Sequence, residues 1–149
     1  MLIIPNLMAT DVERSVAFYR DVLGFSVSFT VTADRETRFD GTATGAVFAI
    51  LEWDGAQLML QDAKSLAEEL PAFEAGLPKA PGGAIYLQGL DPDAIAEAVD
   101  PAILIKGPET TWYGMRETYI RDPDGHILCA GVAVGPPPAP GPNNEGAEA

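Results

Sequence analysis

The side chains best suited to chemistry lie close together near the end of the chain, in the stretch GMRETYIRDPDGHILCAG (114–131). This stretch contains Glu117, the only histidine of the sequence, His126, and its only cysteine, Cys129. Carboxylate, imidazole and thiolate groups bind divalent metals, and they also transfer protons. Two alternatives follow: the stretch is the edge of a metal site, or it is a hairpin that lines a pocket without metal.

The elements that position these residues form two successive modules, each with the predicted order strand, helix and three strands. In the first module a capping box at Thr10–Glu13 opens a helix that runs through Leu23, and Gly24 ends it as a left-handed residue. Asp54-Gly55 is typical of a type I′ turn between strands. In the second module Asp91 caps a helix to about Val99 that has Pro92 at its first position. The predicted strands are 2–8, 25–32, 46–53 and 56–61, and then 84–88, 103–106, 114–121 and 126–134.

The order of elements predicts an α+β fold with a single domain over residues 1–135. Module one covers 1–61 and module two covers 83–135. Residues 62–82 are rich in proline and are expected to form a linker or a lid, in which Ser65 caps a short helix over 66–70. The Pro/Gly-rich segment 136–149 is expected to be a disordered tail.

The composition excludes several classes of partner. The formal net charge is −13, from 9 Lys and Arg against 22 Asp and Glu, so nucleic acid and anionic membrane surfaces would be repelled. No apolar run approaches the roughly 18 residues of a membrane helix. We expect a cytoplasmic protein, because a single cysteine cannot form an intramolecular disulfide and no basic segment opens the chain. The acidity serves solubility, or alternatively it attracts a cationic small molecule.

Two motifs carry a family resemblance. The helix segment SVAFYRDVLGF (15–25), the segment YGMRETYIRDPDGHIL (113–128) and the duplicated βαβββ order resemble the vicinal-oxygen-chelate superfamily, which includes glyoxalase I, extradiol dioxygenases and bleomycin-resistance proteins. The resemblance covers about residues 2–134. It implies the glyoxalase/bleomycin-resistance fold, in which two modules form a cup-shaped curved mixed sheet. It also implies a homodimer with clefts at or near its interface.

Enzymes of this superfamily hold a divalent ion at the first and last strand of each module, and the resemblance carries those positions onto this chain. They fall on Ile4, on Met59 (or Gln61 in a shifted register), on Gly83 or Ala84, and on Cys129. Divalent ions require several oxygen, imidazole or thiolate donors that converge. The resemblance therefore implies no metal ligands and no cofactor here.

The expected pocket lining combines aromatic, apolar and amide side chains with one carboxylate, which suits an organic ligand of moderate size. Glu117, if buried, needs one of the arginines Arg116 and Arg121 as a structural partner, or it meets a cationic ligand. Trp112 and Tyr113 stack on a ligand or plug the end of the fold. His126 is expected in a solvent-exposed turn, and Cys129 as a small buried hydrophobe. The candidate ligand-binding residues are Asn6, Phe48, Met59, Gln61, Tyr86, Trp112, Tyr113, Glu117, Tyr119 and Cys129, and no catalytic residue is assigned.

These features support three hypotheses. The first is a metal-free, bleomycin-resistance-like protein that sequesters a small organic ligand in a dimer-interface cleft. The second is a glyoxalase-like metal-dependent lyase or isomerase, or a dioxygenase, with a metal site formed in a different register. The third is an accessory module in which dimerisation itself is the function.

Overall fold

The structure is a computed structural model that describes residues 1–136. The predicted tail, from residue 137 onward, lies outside the described residues. The strands are β1 (Asn6–Ala9), β2 (Ser26–Thr32), β3 (Thr37–Arg38), β4 (Ala46–Trp53), β5 (Ala56–Asp62), β6 (Ala84–Gln88), β7 (Leu104–Thr110), β8 (Met115–Arg121) and β9 (Ile127–Ala133), and the helices are α1 (Val12–Asp21), α2 (Ala63–Glu69) and α3 (Pro92–Ala98). A short 3-10 helix over Pro71–Phe73 follows α2.

The predicted duplication is visible in the strand order of the two sheets. The five-stranded sheet has the order β1-β5-β4-β2-β3, and the four-stranded sheet has the order β6-β9-β8-β7. Apart from the two-residue strand β3, each sheet places the first strand of its module beside the last and the third beside the second. The α+β fold class is therefore confirmed.

The chain divides into two compact units whose boundary differs from that of the modules. The first unit contains Met1–Ile85 and Arg121–Leu128, and the second contains Tyr86–Ile120 and, among the described residues, 129–136. The turn between β8 and β9 thus belongs to the first unit, although its flanking strands belong to the four-stranded sheet.

Helix α1 covers one face of the five-stranded sheet. Val12, Val16 and Tyr19 are buried along one side of the helix, as their spacing predicts. The helix packs on β4 and β5, where alternate residues such as Leu51 and Leu60 are also buried. The intervening residues of these strands, such as Phe48 and Met59, point to the opposite face, which α1 does not cover and which we call the open face.

Two predicted helix caps were wrong. Helix α1 is capped by Asp11, whose carboxylate accepts from the backbone N–H of Arg14, because Thr10 is engaged elsewhere. Helix α2 begins at Ala63 and is capped by Asp62, which accepts from two backbone N–H groups. Ser65 lies inside that helix, three residues after the cap.

The remaining predictions of elements differ mainly at their ends. Strand β1 begins at Asn6 rather than at residue 2, whereas β7 extends to Thr110 rather than ending at 106. Asp91 caps α3 with Pro92 in its first turn, as predicted. In the part of the chain that the structure describes, no helix is long and apolar enough to cross a membrane.

Candidate functional site

The open face of the five-stranded sheet brings four of the candidate residues together. Asn6 lies opposite Met59 in the parallel pair β1–β5. Phe48 lies opposite Gln61 in the antiparallel pair β4–β5. Directly opposed residues project from the same face of a sheet, so all four side chains stand on the face that α1 leaves uncovered.

A chain of hydrogen bonds fixes the amides on this face. The Asn6 side-chain amide donates to Gln61 Oε1 at 2.8 Å. The Gln61 amide in turn donates to Glu69 Oε2 at 2.9 Å and to Ser65 Oγ at 3.1 Å. Gln61 is only 6 % exposed, and these contacts use its carbonyl and both amide hydrogens. Its side chain therefore holds one orientation.

Around these amides lies a cavity of about 600 Å³. The volume is suited to a small organic molecule. Phe48 and Met59 supply apolar surface, while Glu68, Glu69 and Arg35 supply charge. The residues that line it are Asn6, Val31, Thr32, Ala33, Arg35, Val47, Phe48, Met59, Gln61, Ser65, Glu68 and Glu69.

Glu117 and four other candidate residues come together in the second unit. The Glu117 carboxylate is 1 % exposed. Oε1 accepts from the Tyr86 hydroxyl at 2.8 Å, and Oε2 accepts from the hydroxyls of Tyr113 at 2.8 Å and Tyr119 at 3.4 Å. We call these four residues the Glu117 cluster, and Cys129 lies beside its Tyr119 hydroxyl.

The prediction that an arginine neutralises Glu117 was wrong. Arg116 projects from the other face of β8, as strand alternation requires, and binds Asp93 of α3 through two contacts of 2.5 and 2.6 Å. Arg121 is exposed at the end of the strand. In residues 1–136, no basic side chain forms an ion pair with Glu117.

The tyrosines of the cluster stay protonated because of what they contact. Burial and the hydrogen bond to Glu117 raise the pKa of Tyr86. The hydrogen bond to Glu117 raises the pKa of Tyr113. For Tyr119 the contact with the Cys129 thiol is the largest cause of a raised pKa, followed by burial. Burial likewise raises the pKa of Cys129, so this thiol is not an activated nucleophile.

Glycine at position 131 lets Tyr86 reach the carboxylate. A Cβ atom at Gly131 would lie 2.2 Å from the Tyr86 hydroxyl oxygen, too close for any real contact. Trp112 is set apart from the cluster, being 83 % exposed, and it meets the Tyr113 ring edge-on at 5.4 Å between centroids. It therefore does not plug the fold.

The turn after β8 is fixed by two buried aspartates of the first unit. Asp122 accepts from the Tyr19 hydroxyl of α1 at 2.9 Å. Asp124 accepts from both the backbone N–H and the hydroxyl of Thr10, and also from Ser15. These bonds attach the turn to the start of α1, which explains why the turn belongs to the first unit.

His126 is half-buried, so the prediction of a solvent-exposed turn residue was wrong. Its Nε2 atom lies 2.8 Å from the carbonyl oxygen of Met8. The ring thus ties the turn to β1.

The donor groups at the family's metal positions do not fit a divalent ion. Ile4 has no donor atom, Met59 offers only a thioether, and the Cys129 thiol is buried with a raised pKa. Gln61, the alternative in a shifted register, has its amide fully engaged. Within residues 1–136, no three His, Cys, Asp or Glu side chains lie close enough to hold a metal together.

Several site residues were not found from the sequence. Glu69 and Ser65 were assigned to a linker, but capping by Asp62 turns α2 so that both contact Gln61. Lys106 was placed only at a strand end, yet its ammonium lies 5.8 Å from the centre of the Tyr119 ring. Strand alternation on β7 could have indicated its side, but a register shift in the β7–β8 pair hides that signal.

Comparison with known proteins agrees with this architecture. A family model described as Glyoxalase/Bleomycin resistance protein/Dioxygenase superfamily matches residues 4–130. A glyoxalase/bleomycin resistance protein/dioxygenase from Nocardioides has a similar structure, with 20 % identity, a TM-score of 0.65, and coverage of 94 % of this chain and 88 % of that one. A family enzyme from Burkholderia phytofirmans is similar at 17 % identity and a TM-score of 0.65, with coverage of 87 % and 96 %. A search of curated proteins finds no match.

Proposed function

The chain belongs to the glyoxalase/bleomycin resistance protein/dioxygenase superfamily, and we propose that it acts there as a metal-free binding protein that sequesters a small organic ligand. The observation that carries this proposal is the cavity on the open face of the five-stranded sheet. Its amides, Asn6 and Gln61, are fixed by hydrogen bonds, and its apolar groups are not covered by α1. A preformed lining of this kind is a binding surface that needs little reorganisation.

The chemistry of the lining supports an organic ligand with a flat apolar body and a polar end. The Phe48 ring and the Met59 thioether offer contacts to an aromatic or aliphatic group. The Asn6 amide and the Glu68 and Glu69 carboxylates face the same space. With a net charge of −13 on the chain, a cationic ligand would be attracted and an anionic one repelled.

The absence of a metal from this proposal rests on the donor chemistry at the implied positions. Isoleucine and methionine side chains cannot replace carboxylate or imidazole around a hard or borderline ion. The proposal also includes a homodimer, for which the family resemblance is the support, and a cytoplasmic location, for which the single cysteine of the sequence is the support. Light scattering after size-exclusion chromatography measures the mass of the assembly and tests the homodimer.

The binding proposal is tested by isothermal titration of the purified protein with bleomycin-type glycopeptides and with cationic, neutral and anionic aromatic compounds. We expect at least one cationic or neutral compound to bind. Phe48→Ala should weaken that binding by about 1–2 kcal/mol, because it removes the ring from the cavity. Phe73→Ala is the matched control, since Phe73 is exposed on the 3-10 helix and does not line the cavity.

Three results would contradict the proposal. If no compound binds, or if Phe48→Ala and Phe73→Ala have equal effects, the cavity is not the binding site. Conversion of a bound compound, dependent on an added divalent ion, would favour the metal-dependent lyase, isomerase or dioxygenase instead.

A further inference from the structure

The Glu117 cluster has a charge that its own partners do not neutralise. All three partners are uncharged hydroxyl groups, so none of them supplies a positive charge to the buried carboxylate. A hydroxyl that donates to a carboxylate becomes more electron-rich, and this strengthens the attraction of its ring for a cation. Tyr86 is 43 % exposed, so part of this aromatic surface is open to a ligand.

A cation of the chain itself, the Lys106 ammonium, already lies against a tyrosine of the cluster. The Lys106 ammonium lies over the Tyr119 ring at 5.8 Å, within the range of a cation–π contact. It is held there by an ion pair with Glu109 at 2.5 Å. That hydrogen bond is the main cause of the raised pKa of Lys106, and the charge of Glu117 adds to it.

The local backbone gives Lys106 this position. Lys106 lies opposite Tyr119 in the β7–β8 pair, and the register then shifts before Glu109, which lies opposite Glu117. Gly107 sits in the shifted segment with φ of +99°, and a Cβ atom there would be 2.3 Å from the Glu117 carbonyl oxygen. Only glycine permits the two strands to approach this closely.

We infer that the Glu117 cluster is a binding site for an organic ammonium group, and that the Lys106 ammonium occupies the position that the ligand's ammonium takes. An alkylated ammonium fits better than a metal ion, because the Glu117 oxygens are already occupied by hydroxyl groups and the accessible surface is aromatic. This site is built from different residues than the cavity of the five-stranded sheet. The inference therefore does not depend on the proposed function.

The test compares choline with 3,3-dimethylbutan-1-ol, its neutral isostere, by titration of amide shifts in nuclear magnetic resonance spectra. The two probes share size and shape and differ in charge. We expect choline to shift the amides near Tyr86, Tyr113 and Tyr119 and to bind at least about tenfold more tightly than the alcohol. Equal binding of the two probes, or no shift near the cluster, overturns the inference.

The choline affinity of the Lys106→Met variant tests whether the Glu117 cluster binds a ligand or is only structural. Removal of the competing ammonium should tighten choline binding about two- to fivefold, the strength of an exposed cation–π contact. Lys64→Met is the matched control, because Lys64 is an exposed lysine of the first unit in a comparable i,i+4 pair and should leave choline binding unchanged. If both variants change choline binding equally, the effect is that of net charge alone and the inference fails.

Glu117→Gln should weaken choline binding about tenfold or more, because it removes the negative charge and keeps a carbonyl that accepts hydrogen bonds. Should that variant fail to fold, Tyr86→Phe retains the ring and removes one hydroxyl bond, with a smaller expected loss. Loss of choline binding in these variants while Phe48-dependent binding persists supports the inference. Unchanged choline binding in Tyr86→Phe and in a folded Glu117→Gln contradicts it, whatever the cavity binds.

Discussion

Glu117 shows which of a residue's contacts can be predicted from the sequence and which cannot. Strand alternation on β8 correctly predicted that Glu117 and Tyr119 share one face of the strand. The other partners of Glu117 come from β6, 31 residues earlier, and from the loop before β8. Only tertiary structure brings those tyrosines to the carboxylate, so the local arginines appeared to be the better partners.

All four tyrosines of the sequence have raised pKa values, and this predicts a late alkaline titration. Burial is the main cause for Tyr19, and hydrogen bonds to Asp122 and Glu117 favour the protonated form of their donors. A raised pKa in the folded state means that the folded chain holds protons that the unfolded chain releases. The stabilisation is complete below about pH 10, the ordinary tyrosine pKa, and is lost as the pH rises further.

Absorbance at 295 nm measures this titration. We expect the folded protein to form clearly less tyrosinate at pH 10.5 than the same protein in concentrated urea, and its unfolding midpoint in urea to fall above pH 10. Glu117→Gln is the control, because loss of the negative charge should move part of the titration toward that of the unfolded chain. A folded-state midpoint near pH 10 would contradict the prediction.

At the scale of elements, the turn between β8 and β9 acts as an attachment point for α1. The sequence identifies it as a turn, since Asp-Pro-Asp-Gly is rich in turn-forming residues. The sequence does not reveal that both aspartates accept hydrogen bonds from residues more than 100 positions away. The same distant contact explains the wrong α1 cap, because Thr10 binds Asp124 and leaves the capping position to Asp11.

Tyr19→Phe tests this attachment. The substitution removes the hydroxyl that donates to Asp122 and leaves the ring in the core, so the buried carboxylate loses a partner. We expect unfolding in urea to show a loss of roughly 1–3 kcal/mol. The double variant with Asp122→Asn should lose less than the sum of the single variants.

Tyr113→Phe provides the control for that experiment, because Glu117 keeps its bonds to Tyr86 and Tyr119. Its loss of stability should be smaller than that of Tyr19→Phe. Additive effects of Tyr19→Phe and Asp122→Asn would show that the bond between them does not stabilise the fold.

Helix α2 offers a second test at this scale, because its cap differs from the one that the sequence predicts. The capping box starting at Ser65 is a valid pattern, but Asp62, the last residue of β5, accepts from two N–H groups. We expect Asp62→Ala to cost about 1 kcal/mol of stability. Ser65→Ala should cost less, since the Gln61 amide retains its bond to Glu69. Equal losses by urea denaturation would restore Ser65 as the cap.

Where short-range chemistry decides, the elements were predictable. The bounds of β4 and β6 are those predicted, and the turn at Asp54-Gly55 has the positive φ angles, +48° and +79°, that its sequence requires. Asp91 and Pro92 open α3 for the same reason. The register shift in β7–β8 depends on contacts with Glu117 across the sheet, so the sequence ended β7 too early.

At the scale of the whole molecule, duplication and acidity act together. Both sheets repeat one strand order. Each sheet has one face that its helix does not cover, and that face carries aromatic or amide residues. Because the net charge is −13, a cationic ligand gains from long-range attraction at either unit. That gain is screened by salt, so binding of a cation should weaken as ionic strength rises from about 10 mM to 500 mM, while binding of a neutral ligand should not.

Removal of divalent ions tests whether the whole protein depends on a metal. If a divalent ion were part of the native state, its removal would destabilise the fold, because binding to the folded chain contributes to stability. The side chains at the implied positions, among them Ile4 and Met59, provide no such binding energy. We therefore expect protein purified without chelator to contain well below one divalent ion per chain, and excess EDTA to leave its thermal unfolding midpoint and ligand affinity unchanged. Cys129→Ala is the control, because it removes the thiol at one of the implied positions and should change neither result. One tightly bound ion per chain, lost together with stability on chelation, would contradict the prediction and require a ligand set other than the residues that the family resemblance implies.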